Sequence, residues 1–518
     1  MKTTQQKVFT YKELNAVTAM ITAFNDNEFS SSAENLKFVA KKFDFQPDNY
    51  KYTPSFISGQ WDGYIRPVKY STNRNGNPYI IFPIGLYDEI MHYLEDINHD
   101  VTVTKQYAYD KHKQLLIDEE SINNLDVNLY DHQLQALEIA LRDHRKIIIS
   151  PTGSGKSMII YLIIRSLLKN DIDIDGNILL VVPTVGLVKQ LYHDILTYSK
   201  NDEDLMSIIH CITSGKPKNN NTAKIFISTW QSIHKETPDY FSQFGALIVD
   251  EVHTADCNSI TKICEKTTNA YYRYGLTGTL KGTKLNKIAL TGYFGSVFEC
   301  VNTQRLMDMN ILSKLNVTHV YMNHQQSFKH GKYVTYQDEM DLINKNEKRY
   351  QKLAILSAYT AKTKGNTLIL VNYVEKQGDV LYELLNKIKS SSEEFQQLNI
   401  YYVTGKTSAD EREKVRNIIE NDTNGIIIAT YQVYQAGVNI KNLHNVIFAS
   451  PTKSIVRTLQ SIGRGLRLHD SKESCNLYDV VDILNIHGHN SYNEKHFMMR
   501  KQYYKEIATE QNTLTFDI

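Results

Sequence analysis

The apolar run Ile147-Ile148-Ile149 leads directly into Ser150-Pro151-Thr152-Gly153-Ser154-Gly155-Lys156-Ser157. This junction constrains the chain more than any other feature. A buried strand needs such an apolar run. The loop after it must turn tightly so that backbone N–H groups converge on phosphate oxygens, and Gly153 and Gly155 allow that turn. A helix from about Lys156 to Leu168 would then present its positive N-terminal end to the same anion. In this pattern Thr152, Gly153, Ser154 and Gly155 form the cradle, and Lys156 reaches the β- and γ-phosphates of a nucleotide. The Ser157 hydroxyl binds Mg²⁺. Ser150 stands where such loops usually begin with glycine.

Two further motifs extend the reading. A second apolar run, Ala246-Leu247-Ile248-Val249, ends in Asp250-Glu251-Val252-His253. After a buried strand, Asp250 is placed to hold the metal and Glu251 to orient and deprotonate an attacking water. Downstream comes Gln460-Ser461-Ile462-Gly463-Arg464-Gly465-Leu466-Arg467. Arg464 and Arg467 are three residues apart and would share one helix face. Phosphoryl transfer spreads negative charge over the γ-phosphate, and a finger arginine there contributes about 10³–10⁵ in rate. Taken in this order, the motifs predict ATP hydrolysis with ATP and Mg²⁺ as cofactors.

The order and spacing resemble superfamily 2 helicases of the DEAH-box-like type, from about Leu129 to Asp482. Tyr130-x-His132-Gln133-x-x-Ala136 is similar to their adenine-reading motif, with Gln133 as reader. Val182-Pro183-Thr184 and Ser228-Thr229-Trp230 resemble the strand-contacting motifs of the first lobe. Gly275-Leu276-Thr277-Gly278-Thr279 resembles the motif that links hydrolysis to domain movement. Leu368–Tyr373, Val403-Thr404-Gly405-Lys406 and Thr430–Asn439 follow in family order. The resemblance implies an α/β fold of two tandem RecA-like parallel-sheet domains preceded by a small α+β domain. It implies a nucleotide contact at Gly437, and coupling of His253 to Gln460 across the cleft. Nucleic-acid contacts would fall at Pro183, Thr184, Thr229, Thr404, Gly405 and Thr430. Asn439 stands where many relatives carry Asp.

The N-terminal region narrows the likeness. Tyr52-Thr53-Pro54-Ser55-Phe56-x-x-Gly59-Gln60-Trp61-Asp62-Gly63-Tyr64-Ile65-Arg66, followed by Phe82-Pro83-Ile84-Gly85-Leu86, resembles the small N-terminal domain of the bacteriophage recombination helicases of the UvsW family. What this implies is an enzyme that unwinds or migrates branched DNA and RNA–DNA hybrids at stalled forks and R-loops, and also promotes annealing. The implied partners are DNA, RNA–DNA hybrids, and recombination or single-strand-binding proteins. A monomer in the host-cell cytoplasm is expected.

Composition sets limits. The chain has 518 residues, 42% of them hydrophobic, enough for two or three cores. It has no apolar run of about 18 residues, so no membrane span is predicted. The five cysteines, Cys211, Cys257, Cys264, Cys300 and Cys475, are irregularly spaced and form no C-x-x-C, which argues against a disulfide framework or a zinc site. Net charge is only +1. Nucleic-acid contacts must therefore come from a local stripe or from backbone N–H groups and hydroxyls.

The organisation reads as an α+β unit over 1–115, a first lobe over 127–310, a second lobe over 347–485 and a helical tail over 486–518. The acidic stretch Asp118–Asp126 reads as a linker, and the polar stretch Asn323–Asn346 as the connection between lobes. In the first unit, Ser31–Glu34 reads as a capping box opening a helix. Strands are expected around an Asn75-Gly76 turn, and an amphipathic helix over Leu86–Ile97. Trp61, flanked by turns, reads more readily as a core residue than as a base-stacking platform. Arg66 is placed to contact DNA, although a solvated strand face would also explain it. His487-Gly488-His489 reads as a surface loop.

Two alternatives compete with a helicase. One is a restriction-type translocase acting with a separate nuclease; residues 1–120 contain no Asp-x-Lys or Glu-x-Lys of nuclease type. The other is an ATP-gated annealing clamp that does not separate strands.

Overall fold

The computed structural model describes residues 7–23, 29–47, 50–97, 101–106, 115–170, 176–213, 215–253, 257–280, 284–328, 334–435, 440–452, 462–463, 465–486 and 491–518. The chain forms two compact units, residues 1–150 with 155–300, and residues 151–154 with 301–518. Among the described residues, no helix is long and apolar enough to cross a membrane.

The first unit opens with a five-stranded mixed sheet. Its strands are β1 (Lys7–Glu13), β2 (Thr18–Ala23), β3 (Lys69–Thr72), β4 (Pro78–Pro83) and β5 (Val101–Gln106), in the order β3-β4-β2-β1-β5. Alternation along β2 and β4 sends Ala19, Ile21, Ile80 and Phe82 inward. The helices Phe29–Lys42 and Tyr87–Ile97 cover that face with Leu36, Val39, Ile90 and Leu94. The first helix starts two residues before the expected capping box. The turn at Asn75-Gly76 joins β3 and β4, with Gly76 at φ 80°. Trp61 is not a core residue. It is half-buried, and its indole N–H donates to the Tyr64 carbonyl at 2.8 Å.

A seven-stranded, wholly parallel sheet follows. It contains β6 (Arg145–Ile149), β7 (Asn177–Val182), β8 (Ile209–Ile212), β9 (Ile225–Thr229), β10 (Phe244–Val249), β11 (Tyr272–Thr277) and β12 (Val297–Glu299), in the order β12-β6-β11-β10-β7-β9-β8. Its central strands are buried on both faces, as their unbroken apolar runs require.

The mixed sheet is locked onto this lobe. The Ala16 N–H donates to the Thr268 carbonyl at 2.9 Å, and Val17 joins the lobe's own hydrophobic core. Gly85 lies so close to the helix Lys284–Phe294 that a Cβ there would run into the Thr291 carbonyl. The acidic stretch read as a linker is likewise packed down. Asp118 is buried, and Arg165 donates to Asp118 at 3.2 Å and to Ser121 at 2.6 Å.

The second unit holds another seven-stranded parallel sheet. Its strands are β13 (Lys314–Ser327), β14 (Thr367–Val371), β15 (Asn399–Val403), β16 (Gly425–Thr430), β17 (Asn445–Phe448), β18 (Ser474–Asn485) and β19 (Glu510–Asp517), in the order β15-β16-β14-β17-β18-β13-β19. Two expectations change here. The stretch read as a connection from Asn323 overlaps the end of β13, which pairs with both β18 and β19. The tail read as helical carries the helix Tyr492–Ile507 and then an edge strand, β19.

Gly85→Ala should lower the thermal unfolding midpoint, because backbone carbonyls cannot yield as a side chain does. Overpacking of this kind costs about 1–3 kcal/mol. An unchanged midpoint would mean that the mixed sheet is not held against the lobe at this point.

Candidate active site

In a parallel sheet all strands point the same way, so the loops after β6, β10, β11, β7 and β9 emerge at one edge. The phosphate loop follows β6. Gly153 and Gly155 take φ 89° and 86°, values that favour glycine. A Cβ at Gly155 would run into Gln133 Nε2. Gln133 Oε1 in turn accepts the Tyr130 N–H at 3.0 Å, so this buried amide braces the loop from behind. Ser154 Oγ donates to the Pro151 carbonyl at 2.6 Å, closing the turn. The helix Lys156–Lys169 starts immediately after Gly155. Lys156 Nζ lies 3.1 Å from the Ser150 carbonyl and 3.5 Å from Glu251 Oε1. Ser157 Oγ is 2.9 Å from the Tyr198 hydroxyl, a partner that no motif announced.

The acidic pair follows β10. Glu251 adopts φ 48°, a left-handed conformation that costs a non-glycine residue of order 1–3 kcal/mol. Its N–H donates to Asp250 Oδ1 at 2.9 Å, which holds the turn. His253 Nδ1 bonds the Thr277 hydroxyl at the end of β11 and lies 3.3 Å from Glu251 Oε2. The histidine therefore ties the acidic motif to Gly275–Thr279.

The two carboxylates differ in their charge environment. Burial, and then the charge of Glu251, push the Asp250 carboxyl up to about 7, with Lys156 opposing. Burial also works against the Glu251 anion, but Lys156 and His253 outweigh it and hold its carboxyl below the usual range. Burial lowers the His253 imidazole, with Glu251 opposing. The arrangement keeps one anion beside an ammonium and leaves a second carboxyl that needs a cation to ionise fully. Asp250 and Ser157 offer hard oxygen donors of the kind Mg²⁺ takes, and the glycine loop and Lys156 suit a polyphosphate. The residues fit Mg²⁺ and ATP.

The expected nucleic-acid positions are placed unevenly. Thr184 follows β7 and caps the helix Val185–Tyr198, accepting the Leu187 N–H at 3.3 Å. Thr229 ends the neighbouring β9 and is buried, its hydroxyl 2.9 Å from Ser232 Oγ. Gln231 Nε2 donates to the Pro183 carbonyl at 3.2 Å and joins the two motifs. Thr404 and Gly405 sit in the exposed turn after β15. Thr430 is buried, and its hydroxyl accepts the Val433 N–H at 3.4 Å. Arg66 is paired with Asp62 and Asp44 and keeps about half of its side chain exposed. Arg467 belongs to the second unit and forms a β-bridge with Leu312. Gln460, Arg464, Gly437 and His487–His489 lie outside the described residues.

Residues 126–282 match the family model for the res subunit of type III restriction enzymes, and residues 349–469 match the helicase conserved C-terminal domain. The ATP-dependent DNA helicase uvsW of Enterobacteria phage T4 is 29% identical over 466 residues, 88% of either chain. The chain is a superfamily 2 helicase. This ATP-dependent helicase is also 24% identical, over 70% of its length and 86% of the relative's, to a DNA 3'-5' translocase, XPB2, of Sulfurisphaera tokodaii. Among solved structures it is similar to Mss116p bound to single-stranded RNA and AMP-PNP, with TM-score 0.54 and 16% identity over 77% of each chain. A type ISP restriction-modification enzyme bound to DNA gives TM-score 0.53 and 14% identity, over 76% of the helicase and 32% of that enzyme. At these identities the structures speak for the two-lobed fold alone.

A divalent cation bound at Asp250 must displace its proton. Affinity for Mn²⁺ in the presence of ADP should therefore rise with pH by up to about tenfold per unit below a pH of about 7, then level off. Asp250→Asn should flatten that profile. A profile already flat in the unmodified helicase would exclude Asp250 as the titrating ligand.

Proposed function

We propose that this helicase uses ATP hydrolysis to unwind or migrate branched DNA and RNA–DNA hybrids, and that it also promotes annealing. The observation that carries the reading is the extent of the likeness to the phage DNA helicase. At 466 residues it is longer than the two matched family models together, so it reaches beyond the motor lobes. In this reading Gln133 and Thr152–Ser157 hold ATP, and Ser157 and Asp250 hold Mg²⁺. Glu251 takes the proton of the attacking water, aided by a strained backbone that fixes its side chain. Arg464 and Arg467 stabilise the charge that develops on the γ-phosphate, and Gln460 couples to His253. Mg²⁺, when bound, neutralises the phosphate oxygens.

Structure selection would come from the N-terminal mixed-sheet unit, since motor lobes contact mainly backbone. Arg66, paired with Asp62 and Asp44 but half exposed, would contact phosphate, and stacking would add to it. Tyr52 and Ile57 are 80% and 72% exposed, beside the half-buried Trp61. Aromatic stacking contributes about 1–3 kcal/mol per base.

A second reading rests on the first lobe's match to the restriction-enzyme res subunit: translocation along duplex DNA beside a separate nuclease. ATPase and strand-separation rates on linear duplex, forked, four-way and hybrid substrates decide between the two. Selective separation of branched and hybrid substrates is expected. Strong ATPase on linear duplex with no separation anywhere would favour the translocase.

Lys156→Ala and Glu251→Gln should both abolish turnover, and Glu251→Gln should retain nucleotide binding, since its amide cannot take a proton. Arg467→Ala should lower kcat strongly with little change in nucleotide affinity. Near-normal hydrolysis by Glu251→Gln would remove it as the base. Tyr52→Ala combined with Trp61→Ala should leave ATPase on single-stranded DNA intact and reduce unwinding of forks. Equal losses on every substrate would assign this surface to folding alone.

A further inference from the structure

Ser157, Tyr161 and Arg165 follow one another at four-residue spacing along the helix Lys156–Lys169, so they form one stripe on its surface. The stripe meets the end of a second helix, Val185–Tyr198, and the turn after it. At its first position, Ser157 Oγ is 2.9 Å from the Tyr198 hydroxyl. One helical turn on, the buried Tyr161 ring packs on the Tyr198 ring, with centroids 5.6 Å apart and planes inclined by 59°. That is a favourable separation for a pair of aromatic rings. One turn further, Arg165 Nη1 donates to Asp202 Oδ2 at 3.3 Å. Asp202 also accepts the Leu205 N–H at 3.0 Å, capping the short helix Glu203–Ser207. The Tyr198 ring is thus held by packing, and the turn after it is pinned to the same helix face. All of these residues belong to one compact unit.

The Cα–Cβ bonds of a helix tilt toward its N-terminus, so the Ser157 hydroxyl sits at the end that faces phosphate. The Tyr198 hydroxyl, within hydrogen-bond distance, lies at that end too. A hydroxyl has one proton and two lone pairs. A serine that ligates Mg²⁺ gives a lone pair to the cation, and its proton then needs an acceptor. Electron density drawn from Oγ in that bond makes the O–H a stronger donor, as for any charge-assisted hydrogen bond. Without a cation, either oxygen of the Ser157–Tyr198 pair can donate. With one, Ser157 donates and the bond is stronger. That difference is what a phenol at this position adds to metal affinity.

We infer that Tyr198 is a positioning residue for the metal: its hydroxyl accepts a hydrogen bond from Ser157 and fixes the rotamer in which Ser157 ligates Mg²⁺. Tyr198 touches neither nucleotide nor metal in this account. The inference rests on the proposed role of Ser157 as a Mg²⁺ ligand.

The test uses the full-length helicase and measures two affinities: that for Mn²⁺ in the presence of ADP, and that for ADP in EDTA. Tyr198→Phe keeps the ring on Tyr161 and removes only the hydroxyl. It should weaken Mn²⁺ binding by on the order of tenfold, the scale on which losing the partner of a metal ligand acts. ADP affinity in EDTA should be unchanged, and its binding stoichiometry reports the folded fraction, so partial unfolding does not imitate the effect. Ser157→Ala should weaken Mn²⁺ binding as well. In the Ser157→Ala background, Tyr198→Phe should cause no further loss, because it acts through the missing hydroxyl. An unchanged or tighter Mn²⁺ affinity in Tyr198→Phe overturns the inference while leaving Ser157 as the ligand. Equal losses of Mn²⁺ and of ADP in EDTA also overturn it, as they would mark a general packing role. So do losses that multiply in the combined variant. If Ser157→Ala leaves Mn²⁺ affinity unchanged, the ligand assignment and the inference fall together.

Discussion

The parallel direction of the strands is the constraint on which the site depends. A parallel sheet sends every strand's carboxyl end to the same edge, and the groups that must meet are attached to those ends. β6, β11 and β10 are neighbours in the first lobe. The phosphate loop, Thr277 and the acidic pair therefore begin within two strand spacings of one another, although they are spread from Ser150 to Thr277 in sequence. β7 and β9 extend the same edge with Thr184 and Thr229. The interior that fixes this alignment is apolar and generic. The chemistry lies in the first few residues past each strand, where the backbone leaves the ladder.

Electrostatics sharpens what topology assembles. Two adjacent buried carboxylates cannot both be charged without compensation. Lys156 lies closer in effect to Glu251 and settles which one stays ionised, while Asp250 is left in need of a cation. The left-handed backbone at Glu251 belongs to the same arrangement. A relaxed backbone at this position would aim the two carboxylates differently, and the bond from its N–H to Asp250 offsets part of the strain.

The first lobe was legible in the sequence because its strands are unbroken apolar runs ending in motifs. Ile147–Ile149 and Ala246–Val249 could not be solvated strands. The second sheet was harder to read for the opposite reason. β13 carries Asn316, His319, Asn323 and His324 among its apolar residues, a pattern that looks like a polar connection. Three of those groups have distant partners: His319 bonds Gln511, Asn323 bonds Asp517, and His324 bonds Asp482 as well as the nearer Asn346. A strand whose polar residues are matched by segments 158 to 194 residues away leaves little local trace. The surroundings of Arg66 and Trp61 are hidden from the sequence in a related way. Sequence shows the charge and the ring, but not that Asp44 and Asp62 close on the one, or that a backbone carbonyl holds the other beside solvent.

The mixed sheet raises a further point about how such a chain divides. Linkers are usually inferred from polarity, and Asp118–Asp126 is polar. Yet Asp118 is buried under Arg165, Val17 sits in the first lobe's core, and Gly85 admits no side chain against Thr291. A boundary drawn at the linker would expose Val17's partners and leave Arg165 facing an empty site. The mixed sheet and first lobe therefore form one mechanical body. The exposed face around Tyr52 and Ile57 belongs to the same unit as Lys156 and the acidic pair. A substrate-selecting unit attached by a flexible tether could report binding only by proximity. One that shares a core with the nucleotide-binding lobe can pass on load directly, because a packed interior is bistable rather than continuously deformable.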